Sequence, residues 1–268
     1  MTEQDFEYEF DDEYSRAEER HARKEKPKFG VLYEDERIIV FDKGSGISSI
    51  PERYIKGISL KEIAEEKHGR LWTVHRIDKD TSGVIVYARD AEAHKSLNDQ
   101  FEHRQTKKLY AAVLEGELPG DEVPVDIPIA QDTQRPGMMR PTARGKESVT
   151  IFRVRERFTG FTYAEAEPVT GRMHQIRVHA KAIGFPLLID PLYGNRREFL
   201  LSSIKRKFKD YGRDEKPLID RLTLHAERLT IAHPGTGETM TFEAPLPKEF
   251  KALLTQLRKV VAKKPLPG

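Results

Sequence analysis

Two hairpin patterns, one near each end of the 268-residue chain, most constrain the fold. Apolar runs at 31–33 and 38–41 flank three acidic residues, and apolar segments at 228–232 and 239–244 flank a loop rich in Gly and Pro. Strands joined by such short turns pair in antiparallel fashion. Because helical patterns lie between the hairpins, the sequence predicts an α+β fold, a largely antiparallel mixed sheet with flanking helices.

Further patterns predict the elements between these hairpins. Helices are expected at 60–68 and at 90–105, where Asp90 has the composition of an N-cap. Strands are expected at 84–88, 107–116, 148–154 and 161–167. Because Pro and Gly recur between 119 and 141, that segment is predicted to be a long connection.

The first 26 residues differ in composition from the rest of the chain. They contain ten acidic and five basic side chains and few aliphatic ones, so they cannot bury enough apolar surface to fold alone. We expect an acidic, disordered tail at 1–26, one domain at 27–262 and a C-terminal tail at 263–268. Since the net charge is +2, residues 27–268 carry +7, which favours a polyanionic partner such as nucleic acid.

Several classes of site are excluded by what the sequence lacks. Without cysteine the chain has no disulfide, thiolate nucleophile or cysteine-bound metal. His174 and His179 are five apart, about 140° around a helix, so no metal is expected there. No glycine-rich phosphate loop is present. With no long apolar run and no secretory signal, we expect a cytoplasmic monomer with no membrane contact.

A charged loop before strand 84–88 is the first candidate for chemistry. Asp78 lies between basic residues, and the turn formers at 80–83 predict a rigid loop. A carboxylate beside an arginine stays ionised, which suits nucleophilic attack or electrostatic stabilisation at a sugar carbon. Two alternatives stay open here, a structural cap and a glycoside hydrolase with Asp80 as the second carboxyl group.

The second candidate is the segment 168–190. Its pattern predicts a helix that Thr170 begins and Gly184 ends. The apolar stripe of this helix would comprise Val169, Met173, Ile176, Ala180 and Ile183. On the adjoining face the same spacing predicts a basic ridge formed by His174, Arg177 and Lys181.

Four segments, taken in order, resemble the RluA-type family of RNA pseudouridine synthases: HRIDKDTSGVIVYARD, KKLYAAVLEG, PVTGRMHQIRVHAKAIGFPLLIDPLYG and LTLHAERLTIAHPGTGETMTFEAPLP. The resemblance implies the pseudouridine synthase fold with a central catalytic cleft, and isomerisation of a uridine in rRNA or tRNA without metal or cofactor. The chain departs from the family at residues 43–46, where KGSG replaces KPxG, and at Ile189, where GDxxYG has glycine. Residues 1–26 cannot form the S4 domain that many relatives carry.

The resemblance also implies roles for individual residues. Asp78 matches the catalytic aspartate, Tyr110 the aromatic residue that stacks on the target base, and Arg177 the basic partner of the aspartate. Contacts to RNA are expected from Arg76, His75, Arg172, His174 and Lys108, with His75 also supporting the loop. The alternative is a noncatalytic RNA-binding or RNA-folding factor on the same scaffold.

Overall fold

The computed structural model describes residues 29–51, 58–205, 208 and 215–262. The tails predicted at 1–26 and 263–268 lie outside the described residues.

A mixed sheet of ten strands forms the centre of the described structure. Its strands are β1 (Phe29–Glu34), β2 (Ile38–Lys43), β3 (Trp72–Thr73), β4 (Ser82–Ala88), β5 (Lys107–Glu115), β6 (Glu122–Asp126), β9 (Val149–Phe158), β10 (Phe161–Pro168), β11 (Leu224–Ala232) and β12 (Thr239–Glu243). The order across the sheet is β1-β2-β4-β11-β5-β10-β9-β6, with β3 paired to β4 and β12 paired to β11. A separate hairpin joins β7 (Ile129–Gln131) to β8 (Met139–Pro141).

The pairing of β4 with β11 is parallel, whereas the other strand pairs are antiparallel. Gly83 makes the close approach of these two strands possible, because a side chain here would lie 2.1 Å from the carbonyl oxygen of Ala226. Its φ of +114° is also unfavourable for other residues. Ser82 donates to Nδ1 of the buried His225 across the same seam, at 2.7 Å.

Four α-helices of the described residues pack around the sheet: α1 (Leu60–His68), α2 (Ala91–Glu102), α3 (Gln175–Ala182) and α4 (Lys248–Val260). Successive side chains of β5 point to opposite faces of the sheet, and one helix packs on each face. Ala112 belongs to the apolar cluster that contains Ile176 of α3, and Ala111 to the cluster that contains Phe250 of α4. The helices α3 and α4 therefore lie on opposite faces of the sheet. No helix among the described residues is long and apolar enough to cross a bilayer.

The predicted α+β architecture and both terminal hairpins are confirmed. Asp90 accepts hydrogen bonds from the backbone N–H groups of Glu92 and Ala93, so the predicted N-cap of α2 is also confirmed. The long connection predicted at 119–141 is wrong, since it contains β6, β7 and β8. Helix α4 was not predicted.

The predicted start of α3 at Thr170 is also wrong. The Thr170 hydroxyl is turned away from a capping role, because it accepts from Val149 N–H and donates to the Gln175 side chain. Gln175 accepts a second bond from Arg172 N–H, and this closes residues 170–175 into a turn. The helix begins only after His174, whose left-handed backbone cannot continue a right-handed helix toward the N-terminus.

Candidate active site

Asp78 lies in the loop between β3 and β4, and this loop is fastened on both sides of the carboxylate. Before it, Ser49 Oγ donates to Ile77 O at 2.7 Å and accepts from Ile77 N–H at 3.2 Å. After it, Gly46 N–H donates to Lys79 O at 2.9 Å, and Thr81 N–H donates back to Asp78 O at 3.1 Å. The hydrogen bonds that fasten this loop therefore come largely from residues 43–49, at the end of β2 and just after it.

Lys43 is the innermost of these fastening residues. Its fully buried ammonium group donates to the carbonyl oxygens of Gly44, Ile47 and Lys79 at 2.8 to 3.0 Å. Burial lowers the pKa of Lys43 to about 7, although the nearby Asp80 and Asp78 carboxylates favour the charged form. The KGSG sequence, which departs from the family's KPxG, thus keeps a lysine that joins two loops.

Arg177 connects Asp78 to a second, deeper carboxylate. Its Nη1 donates to Asp78 Oδ2 at 3.2 Å, while Nε and Nη2 donate to both oxygens of Asp190 at 2.8 and 2.7 Å. Asp78 is 20% exposed, whereas Arg177 is 3% and Asp190 1% exposed. Burial alone would lower the pKa of Arg177, but the bonds to Asp190 and the charge of Asp78 outweigh it and raise the pKa.

The basic ridge predicted on α3 is therefore wrong as a surface feature. Arg177 points inward because two carboxylates compensate the cost of burying its charge. Of the other two members, Lys181 is exposed and His174 faces the site. Val169, expected on the apolar stripe, precedes the helix and is 36% exposed.

Tyr110 lies on β5, opposite Ala166 of β10 and Ala226 of β11. These small neighbours leave room for the ring, which packs against the apolar clusters on both sides of it. Burial raises the pKa of Tyr110, and the negative charge of Asp78 raises it further. The phenol is therefore neutral and close enough to interact with the carboxylate.

His174 and Tyr193 lie beside the Asp78–Arg177 pair. His174 Nε2 is 3.9 Å from Asp78 Oδ2, and its Nδ1 is 2.8 Å from the Tyr193 hydroxyl. The Arg177 guanidinium lies over the Tyr193 ring at 5.2 Å. Burial lowers the pKa of His174 and raises that of Tyr193 to about 12, so both side chains are neutral.

The remaining predicted residues surround this centre at different depths. Arg76 is exposed in the same loop as Asp78. Lys108 Nζ lies 3.7 Å from the position that a side chain at Gly171 would occupy, so it borders the turn that carries Arg172. Arg172 Nε donates to the Glu147 carbonyl at 3.2 Å. We call Arg76, Lys108 and Arg172 the rim cations, since each lies on or beside a segment that carries Asp78 or His174.

His75 has a supporting position. Its ring stacks on Phe101 at 4.6 Å, and Nε2 accepts a hydrogen bond from Val86 N–H of β4 at 3.2 Å. Burial, together with the positive charge of Lys108, lowers the pKa of His75 to about 3. A neutral ring held in this way fixes the start of the Asp78 loop against α2 and β4.

Asp190, Tyr193 and Lys43 belong to the site but were not predicted as site residues. For Asp190 and Tyr193, the sequence signal was the spacing in IDPLYG, where Asp190 precedes Tyr193 by three residues. In the structure Asp190 accepts a hydrogen bond from Tyr193 N–H at 3.1 Å. No group of three or more His, Asp or Glu side chains in the described ranges is arranged to hold a metal ion.

Known proteins resemble the chain in sequence and in fold. The model of a family described as RNA pseudouridylate synthase matches residues 37–182. The chain is 37% identical over 238 residues to the RNA pseudouridine synthase YlyB of Bacillus subtilis (strain 168), covering 85% of this chain and 73% of that protein. It is 37% identical over 235 residues to ribosomal large subunit pseudouridine synthase C of Escherichia coli (strain K12), covering 85% of this chain and 70% of that protein.

A solved structure of human RNA pseudouridylate synthase domain containing 4 superposes with a TM-score of 0.67 at 26% identity, covering 91% of this chain and 95% of that one. The predicted pseudouridine synthase fold is therefore confirmed. Nothing in these similarities favours the noncatalytic alternative. As its RluA-type motifs predicted, the chain belongs to the RNA pseudouridylate synthase family, and it is an isomerase that converts uridine in RNA to pseudouridine.

Proposed function

We propose that the chain isomerises a uridine of large-subunit ribosomal RNA and that Asp78 is its reacting carboxylate. The observation that carries the role of Asp78 is its single bond to Arg177, which is itself buried and bound on its other side by Asp190. The ribosomal target is supported by the relative from Escherichia coli (strain K12), which is named for the large ribosomal subunit.

The reaction breaks the N1–C1′ bond of the nucleotide, turns the uracil and forms a C5–C1′ bond, with a proton lost from C5 and one gained at N1. Asp78 supports this change from the side of the sugar, by adding to the nucleotide or by removing a sugar proton while the bond is broken. Arg177 places a positive charge beside this partly buried carboxylate. The reaction needs no redox step.

Tyr110 is proposed to stack on the target base. A nucleotide within structured RNA must leave its stack before its glycosidic bond can be reached, at a cost of a few kcal/mol. An aromatic wall compensates part of this cost, since stacking of a base on an aromatic side chain contributes about 1–3 kcal/mol. The neutral Tyr110 ring beside Asp78 is suited to this role.

The rim cations are proposed to hold the RNA on either side of the flipped nucleotide. Lys108 and Arg172 would contact phosphates beside the Gly171 turn, and the exposed Arg76 would contact the strand or fill the space that the base leaves. Cytoplasmic location and a monomeric state are part of the same proposal, since ribosomal RNA is the target and each described site is built within one chain.

Tritium release from RNA labelled at uridine C5 tests the proposal, because C5 loses its hydrogen only when the new bond forms. Large-subunit ribosomal RNA, small-subunit ribosomal RNA and transfer RNA from cells lacking the protein would be assayed as separate pools. We expect release from the large-subunit pool with the wild type, and a loss of more than about 10³-fold with Asp78→Asn. RNA binding and the melting temperature should stay close to wild type.

Asp121→Asn is the matched control, because Asp121 is a 91% exposed carboxylate with an ion pair to Arg157. It should release tritium at the wild-type rate. Release from transfer RNA alone would contradict the ribosomal target and leave the chemistry intact. Full activity of Asp78→Asn would contradict the proposed role of the carboxylate.

A further inference from the structure

His174 has a left-handed backbone conformation, which is unusual for a residue other than glycine. It precedes α3 with φ 53° and ψ 18°, in the left-handed region, and its side chain makes no capping bond to the helix. Non-glycine residues adopt this region in only a few per cent of cases, although His, Asn and Asp do so more often than others. The conformation turns the imidazole back toward Asp78 and Tyr193.

A chain of hydrogen bonds indicates which ring nitrogen of His174 carries the proton. Met139 N–H donates to the Tyr193 hydroxyl oxygen at 2.8 Å, so the Tyr193 proton is directed elsewhere. The acceptor within reach is His174 Nδ1, also at 2.8 Å. A neutral imidazole that accepts at Nδ1 carries its hydrogen on Nε2.

The Nε2–H group faces the carboxylate that reacts. Nε2 lies 3.9 Å from Asp78 Oδ2, the same oxygen that accepts from Arg177 Nη1 at 3.2 Å. A displacement of about 1 Å would make a hydrogen bond to an ionised acceptor. Active-site bonds of this kind are often long in the free enzyme and shorten when substrate binds.

We propose that His174 is a positioning residue, whose Nε2–H closes on Asp78 Oδ2 when RNA binds and leaves Oδ1 directed at the nucleotide. Arg177 and His174 then hold one oxygen from two directions, which fixes the rotation of the carboxylate. The neutral imidazole does this without cancelling the charge of Asp78. The inference rests on the proposed function, because it presumes that Asp78 is the reacting group.

His174→Asn separates this role from a structural one. Asparagine tolerates the left-handed backbone, and its amide can accept from the Tyr193 hydroxyl, but it is too short to reach Asp78. We expect the single-turnover rate at saturating enzyme to fall about 10- to 100-fold, the range for a hydrogen bond to a charged group. The Kd for RNA and the melting temperature should change little.

Tyr193→Phe tests the hydrogen-bond chain, because it keeps the ring under Arg177 and removes the hydroxyl that fixes the tautomer. Alone, Tyr193→Phe should slow the single-turnover step. In the His174→Asn background it should slow this step hardly further, since both changes affect the same hydrogen bond from His174 Nε2–H to Asp78. Independent, multiplying losses in the double variant would overturn the inference.

Asp78→Asn in the same assay distinguishes the two proposals. If Asp78→Asn is inactive while His174→Asn turns over at the wild-type rate, the positioning role is wrong and the role of Asp78 stands. The positioning role is also wrong if His174→Asn loses rate only in proportion to unfolded protein. If Asp78→Asn is itself active, the proposed function fails first.

Discussion

At the scale of single residues, the charge balance around Arg177 bears on the reacting role proposed for Asp78. Asp190 accepts two of the guanidinium bonds and Asp78 only one, and one guanidinium between two carboxylates gives the group a formal charge of −1. Had Arg177 bound Asp78 with both arms of its fork, the carboxylate would be more strongly neutralised. Asp190 therefore compensates the charge of the buried Arg177. It also leaves only one guanidinium nitrogen to bond to Asp78.

Asp190→Asn should weaken the fold by about 3 kcal/mol, because it leaves the buried Arg177 without its main counter-charge. Unfolding in denaturant measures this loss. Glu243→Gln removes a carboxylate from the exposed Arg228–Glu243 pair, where the residues are 39% and 59% accessible, and should cost under about 1 kcal/mol. Equal losses for both variants would show that the triad adds no stability beyond a surface pair.

At the scale of elements, the sequence predicts those helices and strands whose formation depends on residues close together in the chain. The hairpins and α2 were predictable because alternation and caps are encoded within a few residues. The start of α3 was not, since the Gln175 side chain that closes the preceding turn is held in place by Val149 and Thr150 of β9, which are distant in sequence. The family resemblance likewise pointed to Asp78, Tyr110 and Arg177, but not to the pairing of Arg177 with Asp190, which depends on the path of the chain between them.

The parallel seam between β4 and β11 should be intolerant of any side chain at position 83. Gly83→Ala places a carbon 2.1 Å from a backbone oxygen at φ +114°, and neither strand can move without displacing the Asp78 loop. We expect a loss of at least about 3 kcal/mol in unfolding free energy, with loss of activity. Gly30→Ala, with nothing within 4 Å, should be nearly neutral. A stable, active Gly83→Ala would contradict this view of the seam.

Lys43 should make stability depend on pH in the alkaline range. Its pKa is about 7 in the folded chain, against 10.5 as the ordinary value, so between these pH values the unfolded chain binds a proton that the folded chain does not. Stability therefore rises with pH across this window. The unfolding free energy of the wild type should increase from pH 7 to 9 relative to that of Lys43→Met. A constant difference would mean that the three carbonyl acceptors keep the ammonium charged.

At the scale of the whole molecule, the sheet separates the face proposed to bind RNA from the face that packs against α4. One face of β5 carries Tyr110 toward Asp78, with Lys108 and Arg172 on the rim. The other face is covered by α4, whose Phe250 and Leu253 complete an apolar cluster. Net charge alone indicates a polyanionic partner, whereas the fold decides which cations can meet it.

The salt dependence of RNA binding should distinguish these two faces. Each phosphate that a cation neutralises releases counterions, so the slope of log K against log salt changes by about 0.7–0.9 per contact. Lys108→Gln and Arg172→Gln should each reduce the slope by about that amount and weaken binding at low salt. Lys251→Gln removes an exposed lysine from α4 on the opposite face and should leave the slope unchanged. A reduction shared equally by all three variants would mean that RNA senses only the total charge of the protein, because a distributed field does not depend on which positive charge is lost.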